Sequence, residues 1–378
     1  MNNYEFWENY LNNVINEIIR LCKEKKTLKV DLHLHSTHSA DGKQTINEII
    51  DSTREKGFDI ISITDHDTLS AYNELYRIVK KGLTKPLIIP GIEFTIDNRE
   101  YGNQCHVVQL FVNPKEPTIV NDVKKASKAT YTRSKLQFKR IKENKALQEI
   151  FTKNNITVSY MDYKNFLKVT KYVPEYDTLC KYLMDKLRHK HVTTFDVFKV
   201  LEEKNELDPF PDRKELKRKR YEVLRNKYEV KEANYYNVRF LLSLLAVREV
   251  DDDWWDKPSS GSLSVNSYGQ PKIEDINKVF KTVFAHPSEK SLKVVEEIIK
   301  NNNNIVGLEL NIRNNYEHIS KFNSLLKKYN LIKTLGSDSH DNKLIFYEDM
   351  SFYKMSNKDI LKILNRMTNG KDWSTYSY

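Results

Sequence analysis

The chain reads as an α/β protein: a parallel sheet, open or closed into a barrel, carrying a large and mostly helical insertion. Three observations predict this. Seven short apolar runs end in polar residues or glycine, as buried strands do. Helical patterns lie between several of them. The stretch 113–281 then breaks the alternation, being lysine-rich and mostly helical in pattern.

Taken in order, Trp7, Leu11, Val14, Ile18 and Leu21 recur at helical spacing, so residues 1–27 are expected to form a helix packed on the main domain. LKVDLHLHS (28–36) alternates and stops at polar residues, giving the first strand. A helix is expected over 45–56, where Thr45 and Glu48 have capping-box spacing and Gly57 follows as a stop. DIISITD (59–65), LIIPGIEFTI (87–96) and CHVVQLFV (105–112) are the next strands. TVFAHPS (282–288), IVGLELN (305–311) and IKTLGSDSH (332–340) follow the interruption, with helical patterns at 291–300 and 317–329. A last helix opens near Ser356, with Asp359 three residues on, and KDWSTYSY (371–378) reads as a loose tail.

Within the interruption, 132–151 and 178–190 are the clearest helices, and Asp251–Pro271 is rich in turn formers and reads as a loop. The expected division is therefore an N-terminal helix (1–27), an α/β domain (28–112 and 272–378) and a helical insertion (113–271). Charge follows the same division. The chain has 62 basic and 52 acidic residues, net +10, and 113–250 alone has 31 basic and 19 acidic, leaving the remainder at −2. The densest run is Arg213, Lys214, Lys217, Arg218, Lys219 and Arg220. A basic segment beside a near-neutral one points to a polyanionic partner such as nucleic acid or a phosphorylated ligand. Any one run, taken singly, reads as a solvated helix face. The Asn301–Asn304 run reads as a helix end or loop.

Composition excludes several classes. Hydrophobic residues at 39% suffice for a sizeable core, so a disordered chain is excluded. No run of about 18 apolar residues exists, so no membrane span is expected. Acidic and amide residues break the N-terminal apolar pattern, so no signal peptide is expected either. Cys22, Cys105 and Cys180 are too few and too far apart for a disulfide framework or a four-thiolate zinc site, and fit a reducing cytoplasm.

Six of the ten histidines sit at strand ends or starts. His33 and His35 end the first strand, His66 follows Asp65 at the end of the second, Glu93 lies in the third, His106 begins or lies in the fourth, His286 ends the fifth, and Asp338 and His340 end the seventh. In an α/β barrel the carboxyl ends of strands share one mouth. Alternate residues of a strand point to one side, so both the His33/His35 and the Asp338/His340 pairs could aim two ligands into one cavity. Imidazoles with carboxylates and no thiolate suit zinc, manganese or iron. A carboxylate such as Glu93 can bridge two cations, and a metal pair can activate water while neutralising a phosphoryl oxygen. Singly, His286 reads as a structural histidine and Glu93 as a buried acid with a partner; jointly the pattern points to a metal cluster.

The motifs DLHLHSTHSADG (31–42), ITDHDT (63–68), PGIEFT (90–95), HVVQLFV (106–112), FAHPS (284–288) and GSDSH (336–340) resemble those of the PHP (polymerase and histidinol phosphatase) superfamily. The resemblance covers about 28–112 and 282–345. It implies a distorted seven-stranded (β/α)7 barrel with two or three divalent ions (manganese, zinc or iron). The implied ligands are His33, His35, Glu93 and Asp338 for one ion; Glu93, His106 and His286 for a second; and Asp41, His66 and His340 for a third. Ala40 lengthens the first motif by one residue, so either Asp41 or His38 could be the ligand there. Asp65 and Asp67 are candidates for orienting His66, and Asp67 equally for capping the following helix.

Within the superfamily the motif order is most similar to the RNase AM-like branch, which releases phosphate from nucleoside 3′,5′-bisphosphates and trims RNA from its 5′ end. Arg133 and Arg140 would then stand in for that branch's arginine-rich helix as substrate-binding residues. Its TRGH-like motif has no clear counterpart here; VPEY (173–176) or YDTL occupies the expected place. The implied function is a metal-dependent phosphoesterase acting on nucleotides or nucleic-acid ends through a hydroxide held between two metals, with His33, His35, Glu93, Asp338 and His340 at the catalytic centre. The alternatives are a small-metabolite phosphatase of the histidinol-phosphate type and a PHP subunit acting through a partner such as an ATPase or polymerase.

Overall fold

A computed structural model describes residues 3–39, 41–96, 105–170, 176–203, 233, 238–239, 241–242, 255–256, 265–266, 281–288, 292–311, 318–341 and 351–368. The Arg213–Arg220 run, Ala40, residues 173–175, most of 251–271 and the 371–378 tail lie outside the described residues. The chain divides into two compact units, residues 1–127 with 255–378, and residues 128–254.

The first unit opens with α1 (Asn3–Glu24) and β1 (Thr27–Leu34), followed by α2 (Ile46–Glu55), β2 (Ile60–Ile63), α3 (Ala71–Lys80), β3 (Leu87–Ile96) and β4 (Cys105–Leu110). Trp7, Val14, Ile18 and Leu21 of α1 are buried in the core of this unit, as their spacing predicts, each burial contributing roughly 1.5–3 kcal/mol. The capping box of α2 is formed: the Thr45 hydroxyl accepts from Glu48 N–H, and the Glu48 carboxylate accepts from Thr45 N–H at 2.7 Å.

The second unit begins within α4 (Pro117–Glu143) and continues through α5 (Lys145–Lys153), α6 (Tyr160–Thr170), α7 (Tyr176–Arg188) and α8 (Thr194–Glu203). Its own core gathers Phe138, Ile141, Leu147, Ile150, Tyr163, Tyr182 and Leu183. The stretch 132–151 is not one helix as its pattern suggests. Asn144 interrupts it, accepting from Leu147 N–H at 2.9 Å as the N-cap of α5. The division also falls inside the expected 113–271 span. At its N-terminal side, Ile119 and Val123 of α4 pack in the core of the first unit.

The first unit resumes with the short ribbon β5 (Trp255–Asp256) and β6 (Val265–Asn266), then β7 (Thr282–Phe284), α9 (Leu292–Asn301), β8 (Ile305–Asn311), α10 (Ile319–Lys328), β9 (Ile332–Gly336), β10 (Lys354–Ser356) and α11 (Asn357–Met367). Eight strands form one sheet in the order β10-β1-β2-β3-β4-β7-β8-β9. Bonds from His35 N–H to Ser339 O (3.0 Å) and from Asp338 N–H to His33 O (3.0 Å) join its last strand to β1, so seven strands close into a barrel. The eighth, β10, pairs antiparallel with Thr27–Lys29 at the start of β1.

The sheet is not wholly parallel. β4 runs antiparallel to both β3 and β7. Residues 97–104 alone join β3 to β4, and a crossover between parallel strands needs a dozen or more. The reversal puts the start of β4, not its end, at the mouth where β1, β2, β3, β7 and β9 end.

Candidate metal centre

Buried polar residues fall two apart along the strands, with Asp31 and His33 on β1, Ser62 and Thr64 at β2, and Glu309 and Asn311 on β8. That spacing puts each pair on one face. At the mouth this polar face ends in a cluster centred on Glu93, whose side chain is fully buried. Glu93 Oε2 lies 3.1 Å from His33 Nε2, 3.2 Å from His35 Nε2 and 2.9 Å from His66 Nδ1. Its Oε1 lies 3.1 Å from His106 Nδ1 and 3.2 Å from His286 Nε2. One carboxylate thus faces five imidazoles.

The flanks extend the cluster. Asp338 Oδ1 is 3.2 Å from His35 Nε2 and 3.7 Å from His340 Nδ1. Asp41 Oδ2 is 3.0 Å from His340 Nε2 and 3.4 Å from His66 Nε2. The backbone is held in the left-handed region at His286 (φ 30°) and Asp338 (φ 54°), a conformation costing non-glycine residues roughly 1–3 kcal/mol. Ladder bonds on either side sustain it, from Ala285 N–H to His106 O at 2.9 Å and from Asp338 N–H to His33 O at 3.0 Å.

Electrostatics follow this packing. Burial alone would raise the Glu93 carboxyl, but His33, His66 and His106 hold it well below the usual carboxylate range. Burial works against Asp41 in the same way, and His66 and His340 hold it low. The His33 and His66 imidazoles are raised well above their ordinary value because Glu309 and Glu93 at one, and Glu93 and Asp41 at the other, outweigh burial. At His106 burial wins and the imidazole is lowered.

Among the described residues, three groups bring ligand atoms within 4.8 Å of one another: His33, His35, Glu93 and Asp338; His35, Asp41, His66 and His340; and His66, Glu93 and His106. The first matches the expected set for one ion. The second contains the expected Asp41, His66 and His340 and adds His35. The third shares Glu93 and His106 with the expected set and has His66 beside them, while His286 reaches Glu93 Oε1. The donors suit a divalent metal: among the described residues, Glu93 Oε2 and His66 Nδ1 are buried with no hydrogen-bond partner although nitrogen and oxygen ligand atoms crowd them.

The structure brings Asp41, not His38, to the cluster. His38 turns away, its Nδ1 2.9 Å from Ser70 Oγ and its Nε2 3.3 Å from Glu74 Oε2. Asp65 accepts from Ser36 N–H at 2.6 Å and from the Ser36 hydroxyl at 2.7 Å, pinning the loop after β1. Asp67 does not cap α3, whose N-cap is Ser70. It accepts from Thr95 N–H at 3.2 Å and donates its own N–H to Glu93 O at 2.9 Å, tying down the end of β3. Arg133 and Arg140 lie on α4 in the second unit; the Arg133 side chain is outside the described residues and Arg140 is half-buried. Sequence reasoning missed Glu309, whose Oε2 sits 2.6 Å from His33 Nδ1. A carboxylate inside the otherwise apolar run IVGLEL was the available signal.

The PHP domain family matches residues 31–206. A candidate metal-dependent phosphoesterase from Bifidobacterium adolescentis has the same fold with a TM-score of 0.53 at 15% identity, over 89% of this chain and 96% of its own. An amidohydrolase from Chromobacterium violaceum, solved with bound sulfate and no metal, aligns over 87% of this chain and 98% of its own at 16% identity, with a TM-score of 0.47. No curated protein matches the chain. No described helix is long and apolar enough to cross a membrane. The family match covers residues 31–206, and the likeness to the phosphoesterase structure shows a shared α/β fold.

Proposed function

We propose that the protein is a metal-dependent phosphoesterase acting on nucleotides or nucleic-acid ends, in the manner of the RNase AM-like branch. One observation carries the reading: Glu93 sits buried among five imidazoles, with Asp338 and Asp41 on the flanks. His33, His35, Glu93 and Asp338 would hold one ion, Glu93 with His106, His66 and His286 a second, and Asp41, His66 and His340 a third. Bound divalent ions would supply Lewis acidity towards a phosphoryl oxygen and a more acidic water.

The chain's own residues do the positioning. Asp67 fixes the end of β3 and with it the Glu93 carboxylate. Asp65, through Ser36, fixes the loop that carries Asp41. The buried mouth keeps bulk water from His33, His35 and Glu93, each with a side chain 0% exposed. The net +12 of residues 113–250 supports a polyanionic substrate over a small neutral one.

The test is a 5′-phosphorylated RNA oligonucleotide, labelled at either end and incubated with manganese and the full chain, with Asp338→Asn alongside. Mononucleotide release that vanishes in the variant establishes a nuclease and its direction. Metal-replete protein that releases nothing turns the reading to a small phosphorylated metabolite or to a required partner.

A further inference from the structure

Glu309 lies on β8, between β7 and β9 in the sheet, belongs to none of the motifs, and is 2% exposed. Its Oε2 is 2.6 Å from His33 Nδ1, the ring nitrogen opposite the one that enters the cluster. His33 Nε2 instead faces His35 Nε2 at 3.0 Å, Glu93 Oε2 at 3.1 Å and Asp338 Oδ1 at 3.7 Å. The other Glu309 oxygen accepts from Asn311 Nδ2 at 3.4 Å.

The neighbouring strand is shaped to allow this approach. A Cβ on Gly336 of β9 would stand 2.6 Å from His33 Cβ and 2.7 and 2.8 Å from Glu309 Cδ and Oε2, so any side chain there would collide with both partners. Two other cluster histidines provide a contrast. His340 Nδ1 meets the Asp338 carbonyl, at 2.8 Å, and His35 Nδ1 is buried with no hydrogen-bond partner among the described residues.

We propose that Glu309 is a positioning residue of the metal centre. It accepts the Nδ1–H of His33 and so locks the ring orientation that aims Nε2 at the cluster, leaving Nε2 as the nitrogen that gives up its proton to a cation. A carboxylate in that place also makes the imidazole a stronger donor to a cation, and loss of such a partner typically lowers metal affinity 10–100-fold. The inference rests on the metal-centre reading above.

The test is equilibrium binding of Mn2+ alone to the metal-free full chain, for wild type, Glu309→Gln, Glu309→Ala and each combined with His33→Ala, with the thermal midpoint of every metal-free protein measured alongside. Glu309→Ala should weaken at least one Mn2+ equivalent 10–100-fold. Glu309→Gln should weaken it less, because its amide oxygen still accepts from Nδ1–H. In the His33→Ala background neither substitution should change affinity further, a pattern that general destabilisation does not produce. Wild-type affinity in a folded Glu309→Ala protein overturns the proposal; if that variant does not fold, wild-type affinity in Glu309→Gln overturns it. Wild-type protein that takes up no Mn2+ fails the metal-centre reading instead.

Discussion

Glu93 Oε1 and His106 Nδ1 stand 3.1 Å apart although their strands run in opposite directions. Thr95 pairs with His106 across that ladder, so the start of β4 delivers its ligand to the same mouth as the end of β3. The carboxylate that receives it is shared by all five neighbouring imidazoles, which makes Glu93 the residue whose loss should be felt most widely.

Glu93→Gln should therefore reduce both metal content and phosphoester hydrolysis. The expected loss of activity is at least about a hundredfold, since removal of outer partners alone costs 10–100-fold. Elemental analysis of the purified variant beside its turnover of an RNA or nucleotide substrate checks this. Full activity with full metal content would refute the assignment.

The loop after β1 offers a sharper contrast. Asp41→Asn should remove about one metal equivalent per chain, because Asp41 stands between His66 and His340. His38→Ala should leave metal content unchanged, since His38 engages Ser70 and Glu74 instead. Metal counting on the two variants separates the alternatives.

Asp31 predicts a pH dependence of stability. Burial raises its carboxyl to about 7, even though Ser337 and His33 N–H groups pull it down. In the unfolded chain it ionises near about 3.9. A raised folded value contributes stability that is fully present below the unfolded one and is lost as pH rises through the folded one. The stability of metal-free wild type relative to Asp31→Asn should thus fall between about pH 4 and pH 7, by at most about 1.4 kcal/mol per pH unit, and then level off. Denaturant melts of both proteins across that range measure it; a flat difference would show that Asp31 is ionised throughout.

Tyr72 links α3 to the sheet. Its hydroxyl accepts from Gly91 N–H at 2.6 Å and lies 2.5 Å from Ile63 O and 2.8 Å from Gly91 O, all buried. Tyr72→Phe leaves the Gly91 amide without that acceptor and should cost about 1–3 kcal/mol of stability. Urea unfolding gives the number directly.

Replacing Lys217, Arg218, Lys219 and Arg220 with neutral residues should weaken binding of an RNA oligonucleotide and lower its salt slope by about 1 for each phosphate no longer neutralised. A slope unchanged over a salt series would remove these residues from the substrate-binding surface.

Much of the site was legible in the sequence because ligand spacing and strand ends are local properties. His33-x-His35 and Asp338-x-His340 point two groups to one side of a strand whatever the rest of the chain does. The Thr45–Glu48 cap was legible for the same reason, since both of its hydrogen bonds span three residues. Seven strands and their order of appearance followed from apolar runs bounded by polar residues.

The rest depended on contacts between residues far apart in the chain. Whether His38 or Asp41 joins the cluster was decided by Ser70 and Glu74 at α3, which capture His38. The antiparallel run of β4, the eighth strand on the edge of β1 and the Glu309–His33 contact are likewise pairings across the sheet, the last spanning 276 residues. By itself the sequence determined which residue types could bind metal and at which strand ends they stand. Only the tertiary structure decided which atoms meet, because closing the barrel sets distances between strands that local spacing cannot encode.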